Sequence, residues 1–210
     1  MTFSKQTIHK ILDRLKEEYP HAGCELLHED VYQLLVKVTL SAQTTDKSVN
    51  SVSEKLFSEY PDAKTMAKAD PQKLEAILRS VGMYKTKTKN IIAQARMLTE
   101  KYNGIVPEDY ESLVALPGVG RKTANVVLSV GFGHQRIAVD THMFRVANRI
   151  GLAEEKDVLQ TEMALMKVLP KDRWSESHHS LIFHGRRCCL ARKPRCCDCV
   201  IKDICRKAEL

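Results

Sequence analysis

The chain has 210 residues. A chain of that size buries roughly 70% of its unfolded surface, which is one domain or two small ones sharing a boundary. Lys and Arg number 33 against 26 Asp and Glu, a formal charge of +7, and 43% of residues are hydrophobic, which excludes wholesale disorder. No apolar run exceeds four residues and the opening MTFSKQTIHK lacks an apolar stretch, so neither a membrane-spanning helix nor a secretory signal is expected.

Helical periodicity dominates from end to end. Val31, Leu34, Leu35 and Val38 stand at i, i+3, i+4 and i+7, a stripe that continues through Val49, Val52 and Leu56. Asp70-Pro71 is a cap followed by a proline at the first helical position, and Leu74, Ile77, Leu78 and Val81 follow it. Ile91, Ala95, Leu98 and Tyr102 mark the next helix. The C-terminal half adds Phe144, Ala147 and Ile150, then Leu159, Met163, Met166 and Leu169. Alternating strand patterns are nearly absent, and the prediction is an all-α protein of about ten short helices. Glycine and proline cluster at turns, and Gly131-Phe132-Gly133 is the best candidate for a domain boundary.

The most informative stretch is Leu116-Pro117-Gly118-Val119-Gly120-Arg121-Lys122-Thr123-Ala124. Pro117-Gly118 ends one short helix, and a helical pattern resumes after Gly120. Glycine permits positive φ and close approach of the backbone to a large ligand. The N–H groups of the hairpin and the next helical turn suit a phosphate, with Arg121 and Lys122 supplying charge beside them. An ordinary turn between two helices with solvated basic residues fits the same letters equally well.

Six of the seven cysteines fall between Cys188 and Cys205. A disulfide framework would spread them along the chain and would need an oxidising compartment, so metal ligation is the better reading. Cys189, Cys196, Cys199 and Cys205 offer four thiolates, which suit zinc or an iron–sulfur cluster. Zinc folds usually carry two C-x2-C pairs, and only Cys196 and Cys199 form one here. Cys24, Cys188 and Cys197 are read as spare thiols. His178, His179 and His184 have irregular spacing with no accompanying carboxylates and are read as helix-face or DNA-side residues.

Taken together, the hairpin, Lys122, Val139-Asp140-Thr141-His142, Leu40-Ser41-Ala42-Gln43, the stretch from Gly82 to Lys85, Val106-Pro107-Glu108 and the cysteine tail resemble the endonuclease III family of helix-hairpin-helix DNA glycosylases. The resemblance covers nearly the whole chain. It implies a two-domain helix-hairpin-helix DNA glycosylase fold: a six-helix domain over 24–134, with the motif at about 107–131, and a [4Fe–4S] cluster domain from 1–23 and 135–210. The cluster tail spans 189–205, with Cys189, Cys196, Cys199 and Cys205 as ligands by the six-two-five spacing.

The same resemblance assigns Lys122 as the nucleophile and Asp140 as its catalytic partner. An amine attacking a sugar C1′ forms a Schiff base that eases β-elimination, and the positive end of a helix beside Arg121 favours shedding its proton. A carboxylate can stabilise a cation-like sugar and shuttle a proton. Read alone, Asp140 is also a good helix cap, and Asp46 reads as the cap behind the Gln43 loop. An enzyme acting at C1′ must extrude the nucleotide, and the family's wedge residues map onto Gln43 and Met83. Further DNA contacts are expected from Gly118, Val119, Gly120, Arg121, Thr123, His142 and the basic loop of Arg192, Lys193 and Arg195.

The expected function is base excision repair: a monomeric, bifunctional glycosylase and abasic-site lyase acting on oxidised pyrimidines in double-stranded DNA, in a bacterial cytoplasm and not at a membrane. A monofunctional mismatch glycosylase of the same superfamily is the enzymatic alternative, disfavoured by Lys122 and by the chain ending shortly after Cys205. A non-catalytic DNA-binding module with a structural metal would need neither Lys122 nor Asp140.

Overall fold

The computed structural model describes residues 3–207. In chain order it contains α1 (Lys5–Glu18), α2 (Val31–Ser41), α3 (Asp46–Glu59), α4 (Ala63–Met66), α5 (Pro71–Leu78), α6 (Tyr84–Tyr102), α7 (Tyr110–Ala115), α8 (Arg121–Val126), α9 (Thr141–Ile150), α10 (Val158–Val168) and α11 (Trp174–Arg187). A π-helical turn, Val127–Gly131, continues α8, and a 3-10 turn, Lys171–Arg173, leads into α11. Among the described residues there is no strand. Six helices start on an aspartate whose side chain accepts a first-turn N–H: Asp30, Asp62, Asp70, Asp109, Asp140 and Asp157. Each such cap is worth about 0.5–2 kcal/mol against alanine.

The chain divides into two compact units, Glu25–Gly133 and Met1–Cys24 with His134–Leu210. In the first, α2 is the central helix. Tyr32 and every residue from Leu34 to Leu40 are buried, so the helix is covered nearly all round. Helix α3 packs on α2, and α6 packs on α2, α4 and α5. Gly131 lets the end of the π turn approach α2, since a Cβ there would sit 3.0 Å from Val31 Cγ1 and 3.2 Å from Leu34 Cδ2. Gln94 of α6, fully buried, donates to Thr39 Oγ1 at 3.2 Å and to the Pro117 carbonyl oxygen at 3.4 Å, tying α2, α6 and the glycine hairpin together.

The second unit has its own core. Ile8, Ile11, Leu12 and Leu15 form the buried face of α1, joined by Met143, Val146, Ala147 and Ile150 of α9 and by Leu181 and Phe183 of α11. Burying each such side chain contributes about 1.5–3 kcal/mol. Trp174 stays in this core because its indole N–H donates to the Leu169 carbonyl oxygen at 3.1 Å.

Two local expectations are corrected. The buried side of α10 is Thr161, Glu162 and Leu165, while Leu159 and Met163 stand 43% and 45% exposed. The apolar letters repeat at helical spacing, but the helix is rotated to place Leu165 in the core. The cap of α3 is Thr45, whose hydroxyl accepts from the Ser48 N–H at 3.2 Å, and Asp46 is the first helical residue. Thr44, Thr45 and Asp46 all have cap chemistry, so the letters alone leave the boundary loose by a residue.

Leu34 and Leu27 make a paired test of this packing. Leu34→Ala removes a fully buried side chain of α2 and is expected to cost about 2–5 kcal/mol in denaturant unfolding. Leu27→Ser, at a side chain 72% exposed, should stay within about 0.5 kcal/mol.

Candidate active site and cysteine centre

Lys122 is the second residue of α8 and is exposed. The turn before it is fixed by sterics: Gly118 has φ +77°, and a Cβ there would meet the Asn90 side chain at 2.9 Å. The following Gly120 sits at the cap position with no side chain to accept the first-turn N–H groups of α8, which no intrahelical carbonyl reaches. Val119 turns inward, buried to 6% exposure, with its N–H donating to the Leu116 carbonyl oxygen at 3.1 Å. The guanidinium of Arg121 lies over the Tyr110 ring, 5.8 Å from its centre, and donates to its hydroxyl at 3.4 Å. Thr123 is half-buried on the same turn.

Gln43 and Met83 come from separate loops, yet the structure sets those loops side by side. A Cβ on Gly82 would lie 3.2 Å from Thr44 Oγ1 and 3.5 Å from the Gln43 carbonyl oxygen. Both side chains are exposed, Met83 by 57%, and both residues take the left-handed backbone region, φ +54° and +58°. That conformation is uncommon outside glycine and persists only where neighbouring structure enforces it. The enforcing contact is Lys87 of α6. It is buried to 4% exposure, and its ammonium donates to Thr44 Oγ1 at 2.7 Å. Burial lowers its pKa from the usual lysine value. Ser48 adds a second tie, its hydroxyl donating to the Ser80 carbonyl oxygen at 3.2 Å. Reading the letters missed Lys87, because a lysine in a polar run looks like a solvated face.

Asp140 is half-buried and caps α9: one carboxylate oxygen accepts the Met143 N–H at 2.8 Å. That is the cap reading of this residue, and the cap engages one of its two oxygens. His142, also half-buried, has its Nδ1 3.3 Å from Arg145 Nη2. The same Arg145 donates to the Gly185 carbonyl oxygen at 2.7 Å and to the Cys189 carbonyl oxygen at 3.1 Å. One turn on, Arg149 donates to the carbonyl oxygens of Leu190 at 2.6 Å and Ala191 at 3.1 Å. Arg192, Lys193 and Arg195 are exposed in the loop that follows, with Lys193 at φ +50°.

Cys189, Cys196, Cys199 and Cys205 line one cavity, together with Cys188, His184 and Arg149. The four do not close to the distances a single ion requires. Among the described residues the one His/Cys/Asp/Glu group with three ligand atoms within 4.8 Å of one another is His184, Cys188 and Cys199. Four thiols spaced around a cavity suit a polynuclear group better than one ion. Hydrogen-bond partners for the sulfurs are in place: Arg149 Nη1 lies 3.6 Å from Cys189 Sγ, and the Cys205 thiol is 3.5 Å from the Arg149 carbonyl oxygen. The region thus has the donor set of a metal centre. Cys24 lies in the other sequence half and Cys197 is exposed, whereas Cys188 is half-buried among the ligand candidates.

His184, read from the letters as a helix-face or DNA-side residue, instead lies buried beside the cysteines. It is buried to 2% exposure, with Nε2 3.7 Å from Cys199 Sγ and Nδ1 3.1 Å from the Tyr19 hydroxyl. Burial pushes its pKa down to about 4, so the imidazole is neutral at physiological pH. Its signal was present: His184 and Cys188 stand at i and i+4 at the end of α11, on one helix face.

Residues 36–171 match the model of the HhH-GPD superfamily base excision DNA repair proteins. The chain is 48% identical to endonuclease III of Haemophilus influenzae over 200 residues, covering 95% of each chain, and 49% identical to that of Escherichia coli over 203 residues, again 95% of each. A solved structure of a trapped endonuclease III–DNA covalent intermediate superposes with a TM-score of 0.92 at 45% identity, covering 99% of this chain and 98% of that one. A thermostable thymine-DNA glycosylase shares the fold, with a TM-score of 0.86 at 22% identity over 97% of each chain. With a family model spanning most of its length and relatives near 48% identity over 95% of it, the chain belongs to the HhH-GPD superfamily of base excision DNA repair proteins, in its endonuclease III branch.

Proposed function

We propose that the chain is a bifunctional DNA glycosylase and abasic-site lyase that removes oxidised pyrimidines from double-stranded DNA. The observation that carries this is the exposed Lys122, held on the first turn of α8 behind the glycine hairpin. The chain also matches, over 99% of its length, a protein trapped as a covalent intermediate with DNA.

The reaction assigns each residue a task. The Lys122 amine attacks C1′ of the damaged nucleotide as the base departs and sheds one proton; the nitrogen lone pair then breaks the C1′–O4′ bond, opening the sugar ring with O4′ taking up a proton and leaving a protonated Schiff base at C1′. The iminium acidifies C2′, and β-elimination expels the 3′ phosphate and breaks the strand. Asp140 places a carboxylate toward the cation-like sugar, with one oxygen anchored by the Met143 N–H so that the group cannot swing away. Base extrusion falls to Gln43 and Met83, whose turns are pre-set in the left-handed region and braced by Lys87. The uncapped first turn of α8 and the backbone of Gly118 to Gly120 receive a phosphate, with Arg121 and Thr123 beside it. Because Val119 is buried with its N–H engaged, its share of that contact is shape and not a donated bond. His142 and the loop of Arg192, Lys193 and Arg195 extend the phosphate contacts, Arg149 holding that loop's entry. These roles divide over a helical domain at 24–134, which holds α2 to α8, and a cluster domain formed by 1–23 and 135–210. The enzyme works as a monomer on DNA in a bacterial cytoplasm.

Cys189, Cys196, Cys199 and Cys205 would hold a [4Fe–4S] cluster, which when bound cross-links a tail that lacks helices of its own. A monofunctional glycosylase would use water in place of an amine and would have no need of Lys122.

Three outcomes test this reading. Borohydride should trap a covalent adduct between the protein and abasic-site DNA, and Lys122→Gln should abolish it; an undiminished adduct would place the nucleophile elsewhere. Asparagine caps helices as well as aspartate does, so Asp140→Asn should slow base release by about 10²-fold or more with little change in thermal stability or DNA affinity. The purified protein should be brown, absorb near ~400 nm and contain iron and sulfide, and Cys196→Ser should bleach it.

A further inference from the structure

The four cysteines assigned to the cluster leave Cys188 and His184 without a task, yet both line the cavity that those cysteines share. His184 Nε2, Cys188 Sγ and Cys199 Sγ all lie within 4.8 Å of one another, and the His184–Cys199 pair is at 3.7 Å. Around a tetrahedral zinc ion with bonds of about 2.0–2.3 Å, neighbouring donor atoms stand roughly 3.5–3.8 Å apart. One pair is already at that spacing, and the others lie within 4.8 Å. Two thiolates and a neutral imidazole also balance the charge of a divalent ion.

The surroundings are those of a ligand set. An imidazole that binds metal through Nε2 carries its proton on Nδ1, and a hydrogen-bond acceptor there fixes the ring. Tyr19, buried to 6% exposure, sets its hydroxyl 3.1 Å from that Nδ1. The Cys188 thiol is itself aimed, lying 3.5 Å from the Arg195 carbonyl oxygen, to which it donates. Cys188 and His184 also border a crevice lined by Tyr19 and Asp198.

We propose that His184, Cys188 and Cys199 form a mononuclear site for a thiophilic divalent ion of the zinc class. Binding replaces the two thiol protons, which pass to solvent, and needs no redox partner. Cys199 belongs to both this site and the cluster set, so a chain holding one group cannot hold the other. That exclusion, though not the ion binding, rests on the cluster reading above. Zinc taken up before cluster assembly then occupies Cys199, one of the four cluster ligands, and Cys188 is the residue that makes the capture tight.

The test is metal analysis of the full-length chain produced with iron limited and zinc supplied. The wild type should carry about one zinc per chain, and Cys188→Ser or His184→Gln should lower retention about tenfold or more, as loss of a ligand does. Cys196→Ser should keep its zinc, because Cys196 is outside the three, while losing the cluster in iron-rich medium. Cys188→Ser should still turn brown in iron-rich medium. The opposite pattern, zinc kept by Cys188→Ser and lost by Cys196→Ser, would overturn the site and put the ion on the four cluster cysteines. Should Cys196→Ser fail to fold, cobalt(II) substituted in the wild type decides: thiolate charge-transfer intensity for two sulfurs supports the site, and intensity for four refutes it. Failure of the cluster reading shows separately, as a colourless wild type from iron-rich medium.

Discussion

From Cys188 to Arg206 the chain makes turns but no helix, so its carbonyl groups have no ladder to satisfy them. The structure answers with two arginines of α9. Arg145 and Arg149 stand one turn apart and between them donate to the carbonyl oxygens of Gly185, Cys189, Leu190 and Ala191. Planar guanidinium groups suit this work because they present several donors in a fixed fork and keep their charge when half-buried. The opposite side of α9 supplies Met143, Val146, Ala147 and Ile150 to the core, so the helix that grips the cysteine segment is itself immobilised by packing. Its first residue follows the Asp140 cap. One short helix thus orients a carboxylate at its start and the cysteine segment along its flank.

The same economy governs the turns carrying Gln43 and Met83. Left-handed backbone at residues other than glycine costs of order 1–3 kcal/mol each, and two such residues on neighbouring turns need a common restraint. Lys87 supplies it from beneath, its ammonium on Thr44 Oγ1. A buried cation with a hydroxyl partner is itself expensive, which argues that the shape of those turns matters more than their contribution to stability.

Much of this was legible in the letters. Asp70-Pro71, the glycine hairpin and the stripe from Val31 to Val38 each encode local structure through sterics or periodicity, and the structure has a helix beginning at Pro71, a left-handed Gly118 and a buried α2. Family resemblance, and not pattern, pointed to Lys122 and Asp140, since a basic residue after a turn and an aspartate before a helix are commonplace. What stayed hidden depended on distance in sequence. Tyr19 meets His184 across 165 residues and Lys87 meets Thr44 across 43, and no periodicity reports such pairs. Helix α10 shows the complementary failure: Leu159 and Met163 repeat correctly but face outward, because periodicity gives a stripe and only packing decides its azimuth.

The hydrogen bond between Tyr19 and His184 also says something about the order in which the molecule is made. Helix α1 leaves the ribosome first, but the core it joins is built from α9 and α11, more than a hundred residues later. The unit from Glu25 to Gly133 is continuous and needs nothing downstream to close its contacts. At translation rates of about 5–20 residues per second, α1 waits roughly ten to thirty seconds for its partners. During that interval its apolar face of Ile8, Ile11, Leu12 and Leu15 is uncovered. Helix α1 therefore docks only after α9 and α11 have been made, and until then the nascent chain carries it as an exposed amphipathic segment that chaperones or neighbouring chains can reach.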